Sequence, residues 1–113
     1  MPKYLISIYH PDDYDPSIAE DETMDRAIDS LNDEMVAAGA RLFVGGLHPA
    51  YSARSVKSQH DGSVTVSEGS HLKTREHICG LWVLHTADLD EALVWAKKAT
   101  LACRAPVEVR QFH

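Results

Sequence analysis

A chain of 113 residues is long enough to bury one hydrophobic core, and a single domain over residues 1–113 is expected. Its formal net charge of −6, with eleven Lys and Arg residues scattered along it, excludes a nucleic-acid surface, which needs concentrated basic charge. No apolar run is long enough for a bilayer, the start Met1-Pro2-Lys3-Tyr4 lacks signal-peptide character, and two cysteines are too few for a disulfide framework, so a cytoplasmic protein with reduced thiols is expected.

Lys3 to Tyr9 reads as a strand, with Tyr4, Ile6 and Ile8 on one face and Leu5, Ser7 and Tyr9 on the other. Pro11 stops it, since proline cannot donate to a ladder. After an acidic loop, Asp12 to Pro16, the run Ser17-Ile18-Ala19-Glu20 has the capping-box pattern of a helix start. The stripe Met24, Ala27, Ile28, Leu31, Met35 and Ala38 carries the helix, and Gly39 is its expected C-cap. Ala40 to Gly46 is a second strand. Ser52 to Ser58 and Ser63 to Ser67 flank His60-Asp61-Gly62, where Asp-Gly signals a hairpin turn facing solvent.

A charge-dense loop, Ser67 to His77, leads into the apolar strand Gly80 to Thr86. Asp88 is the expected N-cap of a second helix with the stripe Leu89, Ala92, Leu93, Ala96 and Thr100. Trp95 falls beside the centre of that stripe, at the rim of the core or in a subunit contact. Cys103 to Pro106 reads as a turn, and Val107 to Phe112 as the last strand.

The order is strand, helix, strand, hairpin, strand, helix, strand. It predicts an α+β, ferredoxin-like split βαβ sandwich with an added β-hairpin. Two helices cover only one face of a sheet, yet the first strand and Leu81-Trp82-Val83-Leu84 are apolar on both faces. A second copy of the chain is therefore expected on the other face, closing a homodimer with a small-molecule cavity between sheet and loops.

With its elements in this order the chain resembles the YCII-related family, in the DGPF-domain branch. The resemblance runs from Tyr4-Leu5-Ile6-Ser7-Ile8-Tyr9 through Ala37-Ala38-Gly39, Gly45-Gly46-Leu47 and the hairpin at Val56 and Asp61-Gly62. It continues through the helix Asp88 to Ala96 and the strand Val107-Glu108-Val109-Arg110. The branch's signature, Asp-Gly-Pro-Phe followed by Ala-Glu-Thr-Lys-Glu, is replaced here by Glu68-Gly69-Ser70-His71 and Leu72-Lys73-Thr74-Arg75-Glu76. Gly69, Thr74 and Glu76 match, Arg75 keeps a cation, and Lys73 reverses a charge. The resemblance implies a ferredoxin-like dimer related to dimeric α/β-barrel enzymes. It also implies a competing role, since some members are encoded beside alternative sigma factors: a non-catalytic ligand-sensing or protein-interaction domain in transcription regulation.

Histidine titrates near working pH and a carboxylate fixes its tautomer, so His10 with Asp12, and His71 (or His77) with Glu76 (or Glu68), are the candidate proton-transfer pairs. His10 with Asp12 is preferred, because a strand end holds a base more rigidly than a loop. Arg75 and Lys73 are expected to hold an anionic ligand, with Tyr9 and His48 as further ligand-binding residues. The expected reaction is that of an isomerase or lyase on a small acidic or aromatic compound. No histidine pair has zinc-hydrolase spacing, and Gly45-Gly46 lacks the lysine and hydroxyl of a phosphate loop, so neither metal nor cofactor is expected. Cys79 adjoins an apolar strand and reads as a buried structural thiol.

Overall fold

The structure is a computed structural model that describes residues 1–113. In chain order its elements are β1 (Lys3–Pro11), a one-turn helix α1 (Pro16–Ala19), α2 (Glu22–Ala37), β2 (Arg41–Gly46), and a 3-10 turn at Ala50–Ser52. There follow β3 (Arg54–Ser58), β4 (Val64–Glu68), β5 (Glu76–His85), α3 (Leu89–Cys103) and β6 (Val107–Gln111). The class is α+β. Four strands form an antiparallel sheet in the order β2-β5-β1-β6. β3 and β4 form a separate hairpin. The sheet is open, with β2 and β6 at its edges, and does not close into a barrel within the chain.

β1 is central, and its alternation sets the two faces of the sheet. Tyr4 and Ile6 are buried towards the helices, and Trp82 and Leu84 of β5 join them there. Ile6 pairs with Trp82 and Tyr4 with Leu84, so one layer of the core is a set of cross-strand neighbours. Leu31 and Met35 of α2 and Ala96, Ala99 and Ala102 of α3 close over this layer. Alanines on α3 bring the helix axis near the sheet, and the large side chains come from the sheet and α2.

The start of α2 differs from the capping-box expectation. Ser17 and Glu20 do not cap one long helix. Asp15 caps α1, accepting from the Ser17 amide at 3.0 Å, and Asp21 caps α2, accepting from the Met24 amide at 2.9 Å. Glu20 has an extended backbone, and its carboxylate accepts from the Tyr14 hydroxyl at 2.7 Å. Asp21 also takes both terminal nitrogens of Arg104 at 3.0 and 3.1 Å, joining the start of α2 to the end of α3. The other end of α2 follows expectation. Gly39, at φ +68°, donates to Val36, and Ala40 donates to Met35, the paired bonds of a Schellman close.

α3 is rotated from the expected stripe. Trp95 is buried, whereas Leu89 and Leu93 are 49% and 38% exposed. The buried positions are Ala92, Trp95, Ala96, Ala99, Ala102 and Cys103. The expected stripe ran through the leucines, but the face that meets the sheet is the one rich in alanine. Trp95 fills space beside those alanines, with the Lys98 ammonium 5.2 Å from the centre of its ring. Thr100, assigned to the stripe from its spacing, is half-buried and donates to the Ala105 carbonyl.

The hairpin lies outside the main body, its Val56, Val64 and Val66 exposed as expected. The radius of gyration, 16.3 Å, exceeds the roughly 13 Å of a compact chain of this length. No helix is long and apolar enough to cross a membrane.

One polar contact inside the body ties helix to sheet. The Trp82 indole N–H donates to the Asn32 side-chain oxygen at 2.9 Å, while Trp82 is only 1% exposed. Asn32→Leu strands this donor, and the expected loss is about 1–3 kcal/mol of unfolding free energy. Trp82→Ala should cost more, about 3–5 kcal/mol, through the cavity it leaves. Urea titration checks both, and an Asn32→Leu protein as stable as the parent would remove this bond from the account.

Candidate functional site

The site lies where the register of β1 and β5 changes. Ile8 pairs with Gly80, but Tyr9 pairs with Ile78, leaving Cys79 as an extra residue in β5. Such a bulge reverses the parity of the strand beyond it. Under strict alternation from Trp82 and Gly80, residues 78 and 76 would follow on the helix side. With Cys79 inserted, Ile78 joins Tyr9 on the open face and His77 lies opposite His10. β5 therefore begins at Glu76, and the expected loop is shorter by Glu76 and His77.

A cavity of about 750 Å³ opens at this end of the sheet, within the range of small-molecule sites. β1 and the turn after it supply His10, Asp12 and Tyr14; the α1 region supplies Pro16 and Glu20; β5 supplies His77 and Cys79. The segment after β2 adds His48 and Tyr51, and the charged loop adds Gly69, Ser70 and Lys73. A second cavity of about 550 Å³ shares His48, Ser70, His77 and Ile78 with the first. Tyr9, Leu72, Thr74 and Glu76 line it as well.

The two facing histidines have different surroundings. The His10 ring stacks on Tyr14 with centroids 3.6 Å apart and planes 19° from parallel. Burial pushes its pKa below the ordinary imidazole value, and the negative charge of Glu20 opposes this only in part. The Tyr14 phenol is pushed up, first by burial and then by its bond to Glu20, so it stays protonated at neutral pH. His77 is held on both nitrogens. Nδ1 lies 2.6 Å from Asp12 Oδ1, and Nε2 lies 3.1 Å from the Leu72 carbonyl oxygen and 3.0 Å from Ser70 Oγ. Its pKa is raised, chiefly by the bond to the Leu72 carbonyl and then by Asp12.

The expected pairings are rearranged. Asp12 pairs with His77, not His10, because the chain turns after Pro11 and the Asp12 amide donates to the Arg75 carbonyl at 2.8 Å. This turn carries the carboxylate across to the first residues of β5. His71 and Arg75 are exposed and line neither cavity. No hydrogen bond joins His71 to Glu76; Glu76 pairs with Pro11 in the ladder and lines the second cavity. Lys73 lines the first cavity while its ammonium donates to the Ser70 carbonyl at 2.8 Å. Tyr9 donates to Glu108 at 3.0 Å on the open face. His48 borders both cavities.

Nothing in the sequence pattern gives Tyr14, Glu20, Tyr51 or Ser70 a place in the site. The acidic stretch around Tyr14 gave no sign that its phenol would lie under His10, since the stack depends on the turn after Pro11. Cys79 is only half-buried, unlike the expected interior thiol, because the bulge turns it to the cavity. Burial still pushes its thiol up to about 11, so it is protonated and a poor nucleophile at neutral pH. Cys103, also a free thiol, is likewise at about 11.

Comparison with known proteins gives the family. No curated protein matches the chain. The sequence model of the YCII-related domain matches residues 1–112, and the chain therefore belongs to the YCII-related domain family.

Proposed function

We propose that the chain is a cytoplasmic homodimer of the DGPF branch, a single domain of ferredoxin-like fold. It moves a proton on a small acidic or aromatic carbonyl compound, as a cofactor-independent isomerase or lyase does. The observation that carries this reading is His10, an imidazole lowered in basicity by burial, stacked on Tyr14 and lining a cavity of suitable size. A neutral imidazole at neutral pH is ready to accept a proton.

In the proposed reaction His10 takes a proton from the carbon beside the substrate carbonyl. The electron pair moves onto the carbonyl oxygen, and the enolate charge is offset by the Lys73 ammonium. His10 then delivers the proton to the enolate oxygen, so a keto–enol tautomerisation is balanced without any other reactant. Glu20 keeps the Tyr14 phenol in place under the ring. His48, at the junction of the two cavities, contacts the rest of the ligand. Asp12 acts at one remove, through His77. His71, Arg75 and Glu76 lie outside the first cavity, and Tyr9 opens on the second, so these four have no part in the proton transfer.

The strand order β2-β5-β1-β6, with each long helix linking strands that have another between them, supports the ferredoxin-like assignment. The dimer is supported by the uncovered sheet face. Leu5, Leu81 and Val83 are half-buried there without a helix over them, and Phe43, opposite Val83, is 58% exposed. Self-complementary burial of this face gives a two-fold pair.

Three outcomes are expected. Solution NMR should find His10 titrating below about 6.5 and His77 above it. Because the folded state lowers the His10 pKa, its neutral form stabilises the fold above the unfolded value, and this contribution is lost as pH falls through that value towards the folded one. A His10 that titrates at or above the ordinary value ends its candidacy as base. In D2O, the protein should catalyse deuterium uptake at the acidic carbon of some member of a panel of enolisable acids, and His10→Gln should slow this by about 10²–10⁴-fold. Binding without any exchange would replace the enzyme with the ligand-sensing reading. Sedimentation should give a dimer, with Phe43→Asp weakening association by at least about tenfold, as burial of one large apolar side chain implies. A monomeric parent at micromolar concentration would overturn the dimer.

A further inference from the structure

The hydrogen bonds around His77 leave it no free lone pair, although it is the histidine with the carboxylate partner. The Leu72 carbonyl, 3.1 Å from Nε2, has no proton to give. Ser70 Oγ lies 3.0 Å from Nε2, but its own proton goes to the Leu72 carbonyl at 2.8 Å. Thr74 Oγ1 lies 3.3 Å away, and its proton goes to the Glu76 carbonyl at 2.8 Å. All three oxygens around Nε2 are acceptors, so Nε2 carries a hydrogen. On the other side Nδ1 meets the Asp12 carboxylate at 2.6 Å and carries one as well. The side chain is 18% exposed.

We propose that His77 is a positioning residue, a doubly protonated clamp rather than a base. Its imidazolium fastens the loop from Gly69 to Arg75 to the end of β1, and so holds Ser70 and Lys73 in the wall of the cavity. The clamp does not depend on any reaction at His10. Three separate pieces of chain meet at one ring: Asp12 after β1, His77 on β5, and Ser70, Leu72 and Thr74 in the loop. The loop has few other ties of its own to the body. Asp12 donates its amide to the Arg75 carbonyl, and Gly69 is bonded to Ala53 and Ser55 near the hairpin. Between those anchors, residues 70–74 reach the sheet through the ring and through the Thr74 hydroxyl, which donates to the Glu76 carbonyl at the start of β5.

The charged and titratable groups about the ring come from each neighbouring element. Asp12 favours the imidazolium, and Lys73 in the loop opposes it. His10 is the cross-strand partner on β1, Glu76 precedes His77 on β5, and Arg75 lies in the loop with its carbonyl on the Asp12 amide. The raised His77 pKa sets the direction of the pH effect. The clamp is complete below the ordinary imidazole value and is lost as pH rises through the higher folded one.

The test is NMR on the full-length protein. Long-range ¹⁵N spectra should show both His77 ring nitrogens protonated at pH 6. Backbone ¹⁵N order parameters of residues 70–74 should fall from about 0.8 to below about 0.6 as pH rises through the His77 titration. His77→Gln should lower those order parameters at pH 6 and remove their pH dependence, with β1 and α3 unchanged. If His77→Gln does not fold, Asp12→Asn serves instead, and it should lower both the His77 pKa and the order of the loop. A neutral His77 at pH 6 would overturn the proposal. Loop order that follows neither pH nor the Asp12 and His77 substitutions would overturn it equally. Failure of deuterium exchange on the acid panel would touch only the role given to His10.

Discussion

The arrangement of this site depends on one extra residue in the ladder between β1 and β5. Backbone pairing there runs from Lys3–His85 to Pro11–Glu76, and it is interrupted once, at Cys79. Before the interruption, alternate side chains of both strands enter the core. After it, the parity of β5 is reversed, and His77 comes to the side of the sheet where His10 lies. A ladder without the insertion would leave His77 on the open face, away from His10. The bulge thus converts a core-forming strand pair into the floor of a pocket without adding an element.

Once the two histidines are neighbours, their other contacts separate them chemically. His10 gains an aromatic surface and loses water, which favours its neutral form. His77 gains a carboxylate and a carbonyl, which favour its charged form. Environments that push two similar groups apart allow one fold to hold an acid and a base at the same pH. Here one ring is stacked on Tyr14, and the other is bonded to Asp12 and to the Leu72 carbonyl of the loop.

Much of the fold was legible in residues that act locally. The alternation of Tyr4, Leu5, Ile6 and Ser7 describes β1 because each side chain's face follows from its neighbours. Gly39 closes α2 and Asp61-Gly62 turns the hairpin because backbone conformation there is a property of a few consecutive residues. Where local signals competed, the reading shifted. Ser17 and Glu20 fit a cap, but Asp15 and Asp21 bond the amides. Leu89 and Leu93 fit a stripe, but Trp95 and the alanines are the buried positions, since small side chains let the helix approach the sheet closely. The site was less legible. His10, Asp12, His48 and Lys73 do reach the cavity, whereas His71 and Arg75 do not, because a loop's composition says nothing of the direction in which its side chains leave it.

The sequence by itself determined the elements, the family and the acidic, histidine-rich inventory from which the site is built, because these follow from periodicity, turn chemistry and element order along the chain. Only the tertiary structure decided the pairings: Asp12 with His77, 65 residues apart, Trp82 with Asn32, 50 apart, and His10 across from His77. Each depends on the register between strands and on a turn that bends one strand end towards another. Register is a relation between distant segments, and a bulge of one residue changes it while leaving the local pattern of either strand unaltered.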